Sequence, residues 1–181
     1  MMRAVAWLAA IQGLDEQILM VVRGSPPLLV PVFYVATIVG GGWGMLAFVP
    51  FAWAPATRAR TLWLLLTLTV NSALVSLFKA IFARARPCDA LGWCAPVWVR
   101  SPGGHSFPSG HAAGAFAFAA FLSTLAPRYS PLLFAFAIVV AASRSVLGVH
   151  YPSDVVAGAL LGALVGHVFA RVHRSRQATA R

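Results

Sequence analysis

Charge is scarce in this chain. Of its 181 residues only 10% are Asp, Glu, Lys or Arg, against a hydrophobic fraction of 60% and a mean hydropathy of +0.80. A soluble monomer cannot cover its surface with so few charges, because soluble domains hold only about 45–50% apolar residues. Carboxylates are scarcer still. Asp15, Glu16, Asp89 and Asp154 are the only ones, set against 14 basic residues, for a formal net charge of +10. Lysine occurs once, at Lys79, and cysteine twice, at Cys88 and Cys94. Neither cysteine is flanked by a metal-ligand pattern, so a zinc site is unsupported. No basic face with interleaved aromatics is found, so the positive charge does not signify nucleic acid. Asp15 and Glu16 stand where a small-residue cleavage site would follow the apolar N-terminal stretch, so no cleaved leader is expected.

What is abundant is apolar sequence in lengths that suit a bilayer. Five segments, about 27–54, 60–82, 108–127, 131–148 and 153–171, approach the roughly 20 residues that a hydrocarbon core demands. At this length one domain is expected, covering residues 1–181. The fold class is all-α: a polytopic transmembrane helical bundle of five or six spans. Gly40, Gly41 and Gly42 should bend or tilt the first segment, and Pro131 and Pro152 suit early helical turns. Residues 1–24 read best as an amphipathic interfacial helix, with a sixth span as the alternative. Gly158, Gly162 and Gly166 recur at small-xxx-small spacing and let a neighbouring helix approach closely.

The arginines orient the bundle. Arg58 with Arg60, Arg128, and Arg171 to Arg181 lie at segment ends, as the positive-inside bias predicts for a cytoplasmic face. Alternating the spans then carries Pro87, Pro108 and His150 to the opposite, extracytoplasmic face.

Three motifs converge there. Lys79 and Arg86 are seven positions apart, two helical turns, and Pro87 follows. Arginine offers a planar fork to phosphate oxygens and lysine a point charge. Arg84, between them, reads as an anchor that snorkels to the membrane surface. The second motif, Pro108-Ser109-Gly110-His111, opens a helix whose unpaired N–H groups and positive dipole end suit an anion. His111, one step inside, is placed to act as a general acid. The third runs from Ser143 and Arg144 to His150, Tyr151, Pro152 and Asp154. Pro152 keeps Tyr151 out of regular helix, so His150 should sit on a turn before the last span. Asp154 can then orient one imidazole nitrogen and free the other for attack on phosphorus. Its plainer role, a carboxylate favouring a helix N-terminus, is compatible with this.

On these residues the chain resembles the type 2 phosphatidic acid phosphatase superfamily, which also includes vanadium haloperoxidases and glucose-6-phosphatase. The motif-bearing part spans about residues 79–154. The resemblance implies a metal-independent, cofactor-free phosphatase that passes through phosphohistidine. It implies His150 as nucleophile, Asp154 as its orienter and His111 as acid. Lys79, Arg86, Ser109, Gly110 and Arg144 would hold the phosphate.

A site beside the bilayer implies a membrane lipid phosphate as substrate, and Trp93 and Trp98 suit an interfacial loop. Among short members of this architecture the resemblance points to undecaprenyl diphosphate, hydrolysed to undecaprenyl phosphate. Phosphatidic acid, phosphatidylglycerol phosphate and lipid A phosphates are the alternatives, as is a lipid phosphotransferase. A haloperoxidase is disfavoured, since such proteins would be soluble. An anion transporter would need charges along a path, whereas these gather at one face. The Ala/Arg-rich composition points to a bacterial plasma membrane. His105 reads as a loop histidine, and His167 and His173 as residues of the cytoplasmic side. Cys88 and Cys94, on the oxidising side with five residues between them, are expected to form a disulfide.

Overall fold

Proline and glycine punctuate this chain, and its helices begin and end where they stand. A computed structural model describes residues 2–23, 28, 30–41, 44, 47, 49–92 and 103–179. Seven α-helices are named here: α1 (Met2–Arg23), α2 (Val30–Val39), α3 (Pro55–Phe82), α4 (Pro87–Leu91), α5 (Gly110–Leu125), α6 (Ser130–Val146) and α7 (Pro152–Thr179). No strand occurs among the described residues. Pro55, Pro87 and Pro131 occupy first-turn positions, where a missing N–H costs nothing, and Pro152 begins α7.

Among the described residues, three helical segments are long and apolar enough to cross a membrane: Pro55–Leu91, Pro127–Val146 and Pro152–Thr179. Val30–Val39 and Gly110–Leu125 are shorter apolar helices. The expected segment 27–54 is not one continuous helix. It stops at Val39 and turns at Gly40, whose N–H donates to Ala36 O at 2.8 Å. The chain returns so closely that a Cβ on Gly44 would lie 1.8 Å from Val39 O. The last helix runs past the expected residue 171 to Thr179.

α5 is the hub. Its sequence is alanine-rich, so α3, α6 and α7 can all pack close around it. Leu64 and Leu68 of α3 meet Ala117 and Phe121 of α5 and Ala170 of α7 in one core cluster. Ala115 and Ala119 meet Ala137 and Val140 of α6 in another. The α5–α7 seam is the most extensive. Cβ atoms on Gly158, Gly162 and Gly166 would lie 2.4, 2.0 and 2.3 Å from Ser109 O, Ala113 O and Ala117 O. Each glycine thus faces a carbonyl one turn further along α5, the close approach that the spacing predicts. Leu66, Leu77, Leu132, Ile138, Leu160 and Leu164 point outward, as a lipid-facing surface requires.

This packing sorts the polar residues to two ends. The C-termini of α3 and α6 and the N-termini of α5 and α7 share one end. Arg58 and Arg60, Arg128, and Arg171, Arg174 and Arg176 gather at the other, where Arg174 Nη1 donates to Thr124 O at 3.1 Å.

Candidate active site

Every motif residue sits at a helix end, and chain breaks put it there. α3 ends at Ala83, which takes a left-handed conformation with φ 46° and turns Arg84 and Arg86 inward. After α6 the chain folds back through Gly148, at φ 71°, so that Arg144 O accepts both Val149 N–H and His150 N–H. That turn carries His150 to the start of α7, as the Pro152 argument predicts.

His150 is buried, with an exposure of 2%. Its Nε2 lies 3.1 Å from Arg86 Nη1 and its Nδ1 lies 3.5 Å from Asp154 Oδ2. Burial pushes its pKa from the ordinary 6.5 down to about 4, against the opposing pull of the Asp154 carboxylate. The ring is therefore neutral at pH 7 and keeps a lone pair. Arg86 is clamped by Val149 O at 2.9 Å and by Gly104 O at 3.2 Å, so its guanidinium is held in place beside the imidazole. Arg144 is buried and donates to Thr37 Oγ1 of α2 at 2.7 Å, while its Nε has no partner. Lys79 Nζ donates to His105 O.

Ser109 caps α5. Its own N–H donates to Asp154 O at 2.9 Å, tying the starts of α5 and α7 together, and its buried Oγ has no partner. The first-turn amides of Gly110 and His111 lie in the part of a helix where N–H groups have no intrahelical acceptor. His111 lies within electrostatic reach of Arg144, His150, Arg86 and Lys79. On its other flank is a cavity of about 180 Å³ lined in part by Gly40, Gly41, Asn71, Ser72 and Val75. Lys79, Arg86, Arg144, the Ser109 hydroxyl, the start of α5 and the His150 imidazole thus gather at one end of the bundle.

Profile comparison matches residues 60–178 to the PAP2 superfamily. The chain belongs to that superfamily. Among curated relatives it is 38% identical over 118 residues to the lipid A 1-phosphatase of Rhizobium johnstonii, covering 60% of this chain and 48% of that one. It is 38% identical over 136 residues to the decaprenylphosphoryl-5-phosphoribose phosphatase of Mycobacterium tuberculosis, covering 75% of this chain and 74% of that one. The chain therefore spans about half the length of the first relative and three quarters of the second. Its fold is similar to the crystal structure of a transmembrane PAP2-type phosphatidylglycerolphosphate phosphatase from Bacillus subtilis. The TM-score is 0.75 at 24% identity, covering 92% of this chain and 87% of that one. This is a multi-pass membrane protein of a phosphatase superfamily.

One expectation is corrected in this PAP2 member. Arg84 does not snorkel to the surface; its side chain is 7% exposed and forms the centre of an ion-pair network. Arg84 Nη1 donates to Asp154 Oδ1 at 2.6 Å and to Ser153 Oγ at 2.8 Å. Arg84 Nη2 donates to Asp15 Oδ2 and to Gln12 Oε1, each at 2.7 Å. Its guanidinium carbon lies 4.0 Å over the Tyr151 ring. Asp154 is consequently shared. Oδ1 takes Arg84, while Oδ2 accepts Tyr151 N–H at 2.9 Å and faces His150 at a distance longer than a hydrogen bond. Asp15 and Gln12 of α1 were not anticipated at this end of the bundle. The available signal was the rarity of carboxylates, since an ionisable residue in apolar sequence defaults to a functional hypothesis.

The remaining sequence candidates lie apart. His105 is exposed and contributes only its carbonyl. His167 lies 3.4 Å from Thr124 Oγ1, and His173 is packed between Trp63 and Phe121, both at the arginine end. Cys88 is buried, with Sγ 3.3 Å from Gly148 O, and is not a free thiol. Cys94, Trp93, Trp98 and Arg100 lie outside the described residues. Among the described residues no group of three His, Cys, Asp or Glu side chains is arranged to hold a metal ion.

Proposed function

We propose that this protein hydrolyses a phosphorylated membrane lipid at the extracytoplasmic face of a bacterial plasma membrane, through a phosphohistidine on His150 and without a metal ion. The observation that carries this reading is the buried His150, whose Nε2 lies 3.1 Å from the Nη1 of the clamped Arg86. Lys79, Arg86 and Arg144 neutralise the phosphoryl oxygens, and the Ser109 hydroxyl with the Gly110 amide completes the cradle. His150 Nε2 attacks phosphorus while the bond to the leaving oxygen breaks, and His111 donates a proton to that oxygen. Water then attacks the phosphohistidine, His111 takes its proton, and inorganic phosphate leaves.

The leaving group departs on the His111 side, beside the cavity of about 180 Å³ bounded in part by Gly40, Asn71 and Ser72. The proposed substrate is undecaprenyl diphosphate. Support comes from the Mycobacterium tuberculosis relative, named a decaprenylphosphoryl-5-phosphoribose phosphatase, of whose length this chain covers 74%. A phosphate of the lipid A type is the second reading, favoured by the match to the Rhizobium enzyme. Free phosphate released in detergent from undecaprenyl diphosphate, lipid A 1-phosphate, phosphatidylglycerol phosphate and phosphatidic acid ranks these substrates, and an added acceptor lipid tests for phosphotransfer. His150→Ala is expected to lose more than about 100-fold in turnover while remaining folded, the scale of losing a covalent catalyst. A variant that keeps its rate removes His150 as nucleophile.

A further inference from the structure

The N-terminal helix reaches the reaction site through one carboxylate. Asp15 of α1 is 4% exposed, though it lies on a helix with Leu14, Met20 and Val21 facing outward. Its Oδ1 accepts Ser153 N–H at 2.9 Å, and its Oδ2 accepts both Ser153 Oγ–H and Arg84 Nη2. Ser153 is the second residue of α7, so its N–H is one of the amides that a helix leaves without an internal acceptor. Asp15 therefore caps α7 from a different helix, at the residue immediately before the one that faces His150.

The charge arithmetic explains why the carboxylate is needed. Arg84 is buried with one positive charge, and Asp154 supplies one negative charge through a single oxygen, Oδ1. The other end of the guanidinium, Nη2, points away from Asp154 and finds Asp15 and Gln12. Without Asp15, that end keeps only a neutral amide oxygen. Arg84 would then be free to slide towards Asp154 and take Oδ2 as well, the two-pronged contact that guanidinium and carboxylate favour. Oδ2 is the oxygen that faces His150 Nδ1. The pull of Asp15 thus keeps Arg84 off Oδ2, which accepts Tyr151 N–H and faces the imidazole.

We propose that Asp15 is a positioning residue for phosphoryl transfer: by anchoring Arg84 and the first turn of α7, it holds Asp154 where one oxygen faces His150. The proposal rests on the reading of His150 as nucleophile. α1 is then part of the catalytic unit through Asp15 and Arg84.

The test uses the full-length protein in detergent, with phosphate release from the best lipid of the panel and histidine ¹⁵N NMR of the uniformly labelled protein. The His150 signals are identified by their loss in His150→Gln. Asp15→Asn keeps the shape but removes the charge, and is expected to lower kcat by about 10- to 100-fold with KM unchanged, the scale of losing a partner that orients a reacting group. Its His150 signals should move towards a mixture of tautomers, and Asp15→Glu should restore part of both. On an Arg84→Gln background, Asp15→Asn should add little, because the two act in series. A wild-type kcat with unmoved His150 signals in Asp15→Asn overturns the proposal, as do losses that multiply independently in the double variant. If His150→Ala retains turnover, the nucleophile reading fails separately; unmoved His150 signals in Asp15→Asn would still overturn the positioning role.

Discussion

Adding one methyl group at Gly158 should damage this protein, although helix propensity alone says the opposite. Replacing glycine by alanine in a helix interior ordinarily stabilises it by about 1 kcal/mol. Here a Cβ on Gly158 would lie 2.4 Å from Ser109 O, and one on Gly162 would lie 2.0 Å from Ala113 O. Ordinary contact begins near 3.4 Å, so relief requires α5 and α7 to part by about 1 Å at Gly158 and about 1.4 Å at Gly162. Both obstacles are backbone carbonyls, so no side chain can swing away. Overpacking of this kind costs about 1–3 kcal/mol. At Gly158 the displacement acts on Ser109, whose N–H···O bond to Asp154 at 2.9 Å couples the start of α5 to the residue facing His150. A shift of about 1 Å in a reacting constellation costs on the order of 100-fold in rate. Gly158→Ala should therefore lose both thermal stability and turnover. Gly166→Ala, about 12 Å further along α7, should lose stability with a smaller loss of turnover. Thermal unfolding in detergent, read beside phosphate release at a temperature where each variant is folded, separates the two effects. A Gly158→Ala protein with an unchanged or raised Tm and wild-type turnover would refute the reasoning.

Turnover is expected to survive EDTA, because Lys79, Arg86 and Arg144 supply the positive charge; loss in chelator, restored by Mg²⁺ or Zn²⁺, would contradict that. Stability should fall as pH drops from about 6.5 towards 4. With the His150 pKa lowered to about 4 in the folded state, the unfolded chain binds a proton over that range and the folded chain does not. His150→Gln removes this contribution, so thermal unfolding of wild type and variant between pH 7 and 4.5 should show the wild type losing more. Cys88 and Cys94 are expected to be joined, and intact mass after alkylation should show no label without reductant; two labelled thiols would rule the bridge out.

The placement of the motif residues was legible because each motif is local. Pro152 dictates where α7 begins, Ser109-Gly110-His111 can only open a helix, and the glycines at 158, 162 and 166 mark one face by spacing alone. Even the gathering of three motifs at one end followed from helix lengths and alternation. The break after Val39 was legible only as a bend at Gly40, since where a helix stops depends on neighbours the sequence does not display. Arg84 was misread for a related reason. An arginine two residues from the end of a membrane helix is ordinarily solvated by snorkelling, and only the arrival of two carboxylates makes burial affordable.

From its sequence alone, the chain settles that it is apolar enough for a membrane, all-helical, and equipped with cations and histidines suited to a phosphate. Those properties depend on composition and on spacings shorter than one helix. Tertiary structure alone decides which charge meets which. Asp15, Arg84 and Asp154 are separated by 69 and 70 residues along the chain, yet share one buried network. Charge–charge attraction is set by distance and by the dielectric around each pair, and both exist only once the helices have packed.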